Sequence, residues 1–520
     1  MKLATVVAWA LIALLVGAYG VDFAHRVMSP DLVAVSFAEG GDDAYYFFTV
    51  SRNIARGLGI TIDGVHWTTG FQPLWGFLCA LPFLFHSDRL AFAIIYVASV
   101  ALWLAGAALF ACFVRRASAT PLQAPVIALI VALFLGESQF SRGYFNGMET
   151  GLALTLSLGL MLAFHDYLRL PADRVTLRRI VGLGALAGLT MLARNDTLFL
   201  CGGLLAVTLF AGGRRQPVRD IAVIVVVAST FVVPWLAYCQ WASGNPMPQS
   251  GIATSVAIRG YVPLVSIVHK VVLSIDPLGF LKIRALVDDH LRGAVAVTII
   301  GAVLLAFHWR RPARPVMMPP AGKILLGLAV AVACLLLYYP LASAAGQFFE
   351  RYFLPLKLLV FLVGAQLIAR ATARADRRPA VVLAVVLAVV LVTAATVGSN
   401  LYWIARDFHK PWRSHLGVEA YEIVRSPYAT GTSRIGMAES GRLGFLYPTR
   451  VVNLDGKMNV DALKAVKTGT LGSYIDSADL DYLMLHDEDV EYLDKTVPGW
   501  RKSWRPHGTL GEFDVFERTP

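Results

Sequence analysis

Two adjacent aspartates open the run Gly41-Asp42-Asp43-Ala44-Tyr45-Tyr46-Phe47-Phe48, which continues through Arg52-Asn53 to Arg56-Gly57-Leu58-Gly59. After Asp43 the spacing becomes helical. Tyr45, Phe48, Arg52 and Arg56 recur at helical intervals, while Phe47, Val50 and Ile54 make an apolar stripe. Gly57 and Gly59 then stop the helix. The predicted element is a helix lying in a membrane interface with two carboxylates at its N-terminal end, where the helix dipole favours their ionised form. One aspartate suffices to cap such a helix. The second is therefore a candidate for chemistry.

Other polar residues stand at the ends of apolar runs. Arg142 and Glu149 flank the turn Asn146-Gly147-Met148-Glu149-Thr150, and Arg194, Asn195 and Asp196 form a tight turn between two short apolar segments. Glu350, Arg351, Tyr352 and Lys357 begin a late apolar segment. Ionisable groups near lipid are costly and mark a pathway, an ion pair or a site. The plainer expectations are a local Arg194–Asp196 salt bridge and an Arg351 that reaches out to lipid headgroups.

The elements that must hold these residues are membrane spans. The chain has 520 residues, of which 57% are hydrophobic and 16% charged, with a mean hydropathy of +0.61. A soluble domain carries about a quarter of its residues as Asp, Glu, Lys and Arg. The charges here cluster in islands between apolar runs and return to ordinary density after about residue 400. With about 20 apolar residues per crossing, the predicted spans are 3–23, 90–114, 124–141, 150–168, 179–194, 197–213, 218–239, 292–308, 323–341, 353–369 and 379–398. The run 3–23 follows Lys2 and is read as a retained first helix, since no small-residue cleavage site follows it.

The loops give this threading a direction. Alternate loops carry Arg115 and Arg116; Arg169, Arg174, Arg178 and Arg179; Arg214, Arg215 and Arg219; Arg310, Arg311 and Arg314; and Arg370, Arg374, Arg377 and Arg378. All are basic and nearly free of acid, which places them with the N-terminus on the cytoplasmic side. The apolar run 71–86, interrupted by Pro73 and Pro82, would invert every later loop if it crossed, so it is read as interfacial or re-entrant. The first loop (24–89), the loop at 240–290 and everything after 400 then share the outer side. In the tail, strand-like runs at Ser433–Ala438, Arg450–Leu454, Asp481–Leu485 and Glu512–Glu517 alternate with turns and helical stretches and predict a small α/β domain.

The net charge of +11 sits in loops that set topology and forms no basic face interleaved with aromatics, so nucleic acid is excluded as a partner. Cys79, Cys112, Cys201, Cys239 and Cys334 all lie in or beside apolar segments, with no zinc spacing and no disulfide framework.

The run GDDAYYFFTVSRNIARGLGITIDG, followed by TTGFQPLW, resembles the first outer loop of the GT-C glycosyltransferase superfamily. Among its members the arabinofuranosyltransferase-like proteins are most similar, and the aminoarabinose and protein-mannosyl transferases are more distant. GMETGLAL, ARNDTLFL and ERYFLPL resemble recurring segments of those proteins in the same order, and GMAESGRLGFLYPTRVVNLDGKMN resembles the start of their C-terminal domain. This chain has ARND where the family pattern has a proline in an ARPD-like turn. The resemblance implies a polytopic α-helical membrane protein of GT-C type, with about eleven spans over 1–399 and a C-terminal α/β soluble domain over 400–520. It would lie in a bacterial inner membrane with that domain in the periplasm.

The activity implied is transfer of a sugar, arabinofuranose or a related pentose, from a polyprenyl-phosphate donor to a cell-envelope glycan, lipid or protein acceptor. The phosphodiester-linked sugar has a good leaving group. The site therefore needs a carboxylate to take the acceptor proton and cations to hold the departing phosphate. Asp42 or Asp43 is the expected base, and Arg351, Lys357, Arg194 and Arg142 are the expected phosphate ligands, since guanidinium groups grip phosphate oxygens. Arg52, His66, Glu149, Asp196 and Tyr352 are the expected substrate contacts, and membrane lipids are the surroundings. A single displacement would invert the anomeric carbon. No cofactor is required by this chemistry. Two adjacent aspartates with Glu149 or Asp196 do offer oxygens for a divalent metal, but an arginine holding the aspartate is the favoured expectation.

Two other functions suit parts of the pattern. A transporter or flippase would place charges in mid-span and break helices in related halves. Here the charges crowd at span ends and no repeat is visible. A surface-polysaccharide polymerase or ligase would use the loop at 240–290, which carries Arg259, His269, Lys270 and Lys282.

Overall fold

The structure is a computed structural model. It describes residues 2–29, 32, 41–118, 124–210, 216–256, 318–342, 350–372, 379–409, 426, 428, 431–511 and 513–519. The protein is a multi-pass membrane protein whose described elements are helices up to residue 409, with a small mixed sheet in its tail.

The helices in chain order are α1 (Lys2–Met28), α2 (Asp43–Ala55), α3 (Pro73–Phe83), α4 (Asp88–Ala117), α5 (Ala124–Gly136), α6 (Ser138–Phe145), α7 (Thr150–Arg169), α8 (Leu177–Ala193), α9 (Leu198–Phe210), α10 (Pro217–Ser243), α11 (Gln249–Val256), α12 (Pro320–Ala342), α13 (Leu354–Thr372) and α14 (Pro379–His409). Among the described residues seven helices are long and apolar enough to cross a membrane, and the bent pair α5–α6 makes up to eight. The predicted span at 292–308 and the cations Arg259, His269, Lys270 and Lys282 lie outside the described residues.

Local chemistry explains the helix ends. Ser87 caps α4 by accepting from the Leu90 amide at 3.3 Å, and Asp88 begins the helix that Arg115 and Arg116 close, each charge suited to its end of the dipole. Pro217 opens α10, and Gly244, at φ +70°, ends it in the left-handed conformation that glycine adopts without strain. α9 and α12 touch through two glycines. A Cβ on Gly203 would lie 2.2 Å from the Gly327 carbonyl oxygen, the close approach that small residues permit between helices in lipid.

Two expectations change. The run 124–141 is not one straight span: it breaks after Gly136 and bends by 59° into α6, because Glu137 turns out of the helix and caps α6 by accepting from the Phe140 amide at 2.9 Å. The interfacial segment in 71–86 is an eleven-residue helix, α3, too short to cross. It packs on α2, so the first loop is a pair of helices folded on each other.

The tail contains β1 (Ile435–Met437), α15 (Gly441–Leu446), β2 (Val451–Asn453), α16 (Val460–Thr468), α17 (Leu471–Ser477), β3 (Tyr482–Leu485), α18 (Asp487–Thr496), β4 (Trp504–Leu510) and β5 (Phe513–Arg518). The sheet order is β2-β1-β3-β5-β4. β1 runs parallel to β2 and β3, with Ile435 opposite Val451 and Tyr482, and β5 is antiparallel to β3 and β4. Leu454, Leu483 and Trp504 fill one core and Ile435, Met437 and Met484 another. Phe445 and Met458 leave the tail and bury themselves in the main core of the membrane domain.

Candidate active site

The first loop positions two carboxylates that face different neighbours. Asp42 occupies the capping position of α2 with helical backbone angles, yet its side chain makes no bond to its own helix. Both of its oxygens are used by the tail. One accepts from the Arg442 amide at 2.7 Å and the other from the Gly441 amide. Asp43, the first residue of α2, pairs with Arg351 Nη2 at 2.7 Å.

Arg351 starts a connected set of charged and aromatic groups. Its Nη1 meets Met148 Sδ at 3.3 Å, and its guanidinium lies 5.4 Å from the centre of the Tyr352 ring. Arg194 lies 5.1 Å from the same ring. Arg194 also binds Glu149 Oε1 through Nη1 at 2.9 Å and both Asp196 oxygens through Nε at 2.9 Å. Tyr339 Oη donates to Asp196 Oδ2 at 2.5 Å. Glu149 is 3% exposed, and among the described residues its Oε2 has no hydrogen-bond partner. A buried carboxylate oxygen left open beside two arginines is ready to accept from a bound molecule.

Two hydrogen bonds tie the first loop to the turns that carry these groups. Trp75 Nε1 of α3 donates to the Gly147 carbonyl at 2.9 Å, and Gln72 Oε1 accepts from the Asn195 amide at 3.3 Å. The loop is thus fixed against both the 146–149 turn and the 194–197 turn. Six residues expected at a site come together here: Asp43, Glu149, Arg194, Asp196, Arg351 and Tyr352. The local Arg194–Asp196 bridge is present, and it is part of the network rather than an alternative to it.

The other expected residues lie elsewhere. Lys357 forms an ion pair with Glu137 inside the bundle, and both side chains are 1% exposed. Arg142 stands over the Trp403 ring, 5.8 Å from its centre. Arg52 faces the tail: it reaches the Phe445 carbonyl, lies 3.8 Å from the Phe445 ring centre and pairs with Asp88 at 3.2 Å. His66 Nδ1 meets Asp63 Oδ2 at 2.6 Å, and its Nε2 lies 3.8 Å from Asp461 on α16. Glu137, Tyr339 and Met148 were missed by sequence reasoning. Glu137 had a usable signal, an acid inside an apolar run; Tyr339, at the end of a span, resembles any interfacial tyrosine.

Electrostatics separates the tail-facing groups further. Burial pushes the Asp42 carboxyl up to about 6, against the stabilising Arg442 and Gly441 amides, and the neighbouring Glu439 adds to the rise. The hydrogen bond to Asp63 raises the His66 imidazole above its ordinary value. Among the described residues no three His, Cys, Asp or Glu side chains gather in a metal-binding group.

No protein-family model and no curated protein matches the sequence. Solved structures do match the fold over nearly its whole length. ArnT from Cupriavidus metallidurans bound to undecaprenyl phosphate superposes with a TM-score of 0.55 at 13% identity, covering 98% of this chain and 97% of that one. The archaeal oligosaccharyltransferase AglB from Archaeoglobus fulgidus, in complex with an inhibitory peptide and a dolichol-phosphate, gives 0.52 at 10% identity, covering 98% and 74%. An Archaeoglobus fulgidus oligosaccharyltransferase in the apo form gives 0.52 at 12% identity, with the same coverage of 98% and 74%. The chain shares the overall fold of these membrane proteins.

Proposed function

We propose that the protein is a membrane glycosyltransferase that moves a sugar from a polyprenyl-phosphate donor to an acceptor hydroxyl, with Asp43 as the base. The observation that carries this reading is the Asp43–Arg351 pair, continued through Tyr352 to Arg194 and Glu149. It joins a carboxylate on the first loop to two guanidinium groups. Two of the matched structures hold undecaprenyl phosphate or a dolichol-phosphate, which supports a lipid phosphate as the ligand class here.

The step balances without a general acid. Asp43 takes the proton of the acceptor hydroxyl while the acceptor oxygen attacks the anomeric carbon. The bond from that carbon to the phosphate oxygen breaks, and polyprenyl phosphate leaves with the bonding pair. Arg351 and Arg194 stabilise the charge on the departing phosphate. Because Arg351 holds Asp43 before the donor arrives, an incoming phosphate competes for that guanidinium and frees the carboxylate to act as base. The open Glu149 Oε2 accepts a hydroxyl of the sugar. In-line displacement inverts the anomeric centre. A divalent cation held by Asp43 would supply the same charge stabilisation as the guanidinium groups, and a chelator titration separates the two.

Arabinofuranose or a related pentose is the sugar favoured by the first-loop sequence, and a cell-envelope glycan, lipid or protein is the acceptor class. The basic loops support a bacterial inner-membrane location with a cytoplasmic N-terminus, so that transfer occurs on the periplasmic side. The test uses the full chain in nanodiscs with a labelled polyprenyl-phosphate pentofuranose and an oligosaccharide acceptor. Transfer that disappears in Asp43→Asn supports the reading. Full activity in that variant overturns the base assignment. Failure of the wild type to use or hydrolyse any polyprenyl-phosphate sugar overturns the function.

A further inference from the structure

The bonds made by Asp42 and its neighbours give the adjacent aspartates different work. Asp42 accepts from the Gly441 and Arg442 amides, in a contact that spans 399 residues of sequence. Tyr46, on the same helix as Asp43, receives the Ser440 amide at 3.0 Å and donates to the Ala438 carbonyl at 3.3 Å. Arg52 reaches the Phe445 carbonyl and stacks on its ring, while Tyr45, Phe83 and Phe92 surround that ring. α2 is therefore gripped along its length by the tail segment 438–445. A second tail loop seats beside it. A Cβ on Gly70 would lie 1.9 Å from the Lys457 carbonyl oxygen, and Gln249 Nε2 donates to Gly456 O at 3.1 Å while its Oε1 accepts from the Thr69 amide at 2.8 Å.

Both of these loops leave the sheet at the carboxyl ends of β1 and β2, the edge that parallel α/β sheets ordinarily present to ligands. In this protein that edge holds the first loop. The contact at Gly441 leaves no space: a Cβ there would lie 2.1 Å from Asp42 O and 2.8 Å from Asp42 Oδ2.

We infer that Asp42 is a positioning residue that fastens the tail to α2 and thereby sets where Asp43 stands against Arg351. The inference rests on the reading of Asp43 as the base. On this reading the Asp42 carboxylate binds the tail and does not touch substrate. It acts through the adjoining backbone, because a shift at residue 42 moves the first turn of the helix that begins with Asp43. A displacement of about 1 Å at a reacting group can cost about 100-fold in rate.

The experiment compares wild type with Asp42→Ala, Asp42→Asn, Tyr46→Phe and Gly441→Ala, all as full chains in nanodiscs. It measures hydrogen exchange over 438–446 and, separately, kcat, KM and the pH–rate profile of transfer. Exchange over α7 serves as the control for global folding. The inference predicts exchange at 438–446 at least about tenfold faster in Asp42→Ala, since two accepted bonds are lost. Gly441→Ala should copy that effect and Tyr46→Phe should give a smaller one. kcat should fall about 10- to 100-fold with KM nearly unchanged and the inflection of the pH profile kept. Asp42→Asn should fall between wild type and Asp42→Ala, because the amide oxygen still accepts one of the two bonds.

A base at position 42 predicts something else: Asn and Ala equally inactive, the inflection lost and exchange at 438–446 unchanged. That result overturns the inference, as does unchanged exchange in Asp42→Ala by itself. If the wild type transfers no sugar, the enzymatic reading fails, while the exchange data still decide whether Asp42 fastens the tail.

Discussion

Arg351, in the short 3-10 turn that leads into α13, and Lys357, in the first turn of α13, stand six positions apart, and each forms an ion pair with an acid from an earlier part of the chain. Their surroundings are opposite. The Lys357–Glu137 pair is sealed, with both side chains 1% exposed, whereas Arg351 is 17% and its partner Asp43 32% exposed. A sealed pair can only hold helices together, here at the break between α5 and α6. A pair that reaches solvent can be opened by a ligand carrying competing charge. Sequence alone treats both cations as equal candidates for the donor phosphate. Accessibility supports the proposed role of Arg351 at the donor phosphate and leaves Lys357 to architecture.

Substitutions test this contrast most strongly at the open pair. Asp43→Asn keeps the size of the side chain and removes the base, so transfer should fall at least about 1,000-fold in a donor-turnover assay. Protein yield and melting temperature should change little. At the sealed pair the effects reverse. Lys357→Met leaves Glu137 charged and buried without its partner, which should cost about 3–5 kcal/mol of stability, read as loss of folded protein on thermal challenge in detergent. Adding Glu137→Leu should restore most of that loss and return transfer to near the wild-type rate. A double variant that folds but cannot bind donor would return Lys357 to the phosphate site.

A smaller effect is expected from Arg351→Lys, which keeps the charge and loses the planar fork; kcat/KM for the donor should drop about 100-fold. The smallest is a pH effect on tail docking. The Asp42 carboxyl is raised from 3.8 to about 6 when docked, so the docked state binds the proton more tightly. The favourable contribution is complete below the unfolded value and disappears as pH rises through about 6. Docking should therefore tighten about tenfold between pH 7 and pH 5. Hydrogen exchange at 438–446 measures the slope, and Asp42→Asn should flatten it.

The aspartate pair, the end of the helix that follows it and most of the span helices were legible in the sequence, because short-range patterns specify them. Four of the five strands were legible for the same reason. β4 was not. Trp504-Arg-Pro-His-Gly-Thr-Leu contains a proline and a glycine, lies at the edge of the sheet and is mostly exposed, with a register shift between Pro506 and Gly508. Such a strand lacks the alternation that marks a half-buried one. The partners of Asp42 and Lys357 were equally invisible, since each lies hundreds of positions away. The bend at Glu137 falls between these cases. One acid in an apolar run signals trouble for a straight helix, but not that its side chain will cap the next one.

The long reach from Asp42 to Gly441 also has a meaning in time. The first loop is made early, and the segment that grips it comes 399 residues later. At about 5–20 residues per second, that interval is roughly 20–80 s of synthesis. Throughout it, the nascent protein holds Asp43 without the tail contacts made by its neighbour Asp42. On the proposed reading, catalytic competence waits for the tail to fold against a loop made with the first span.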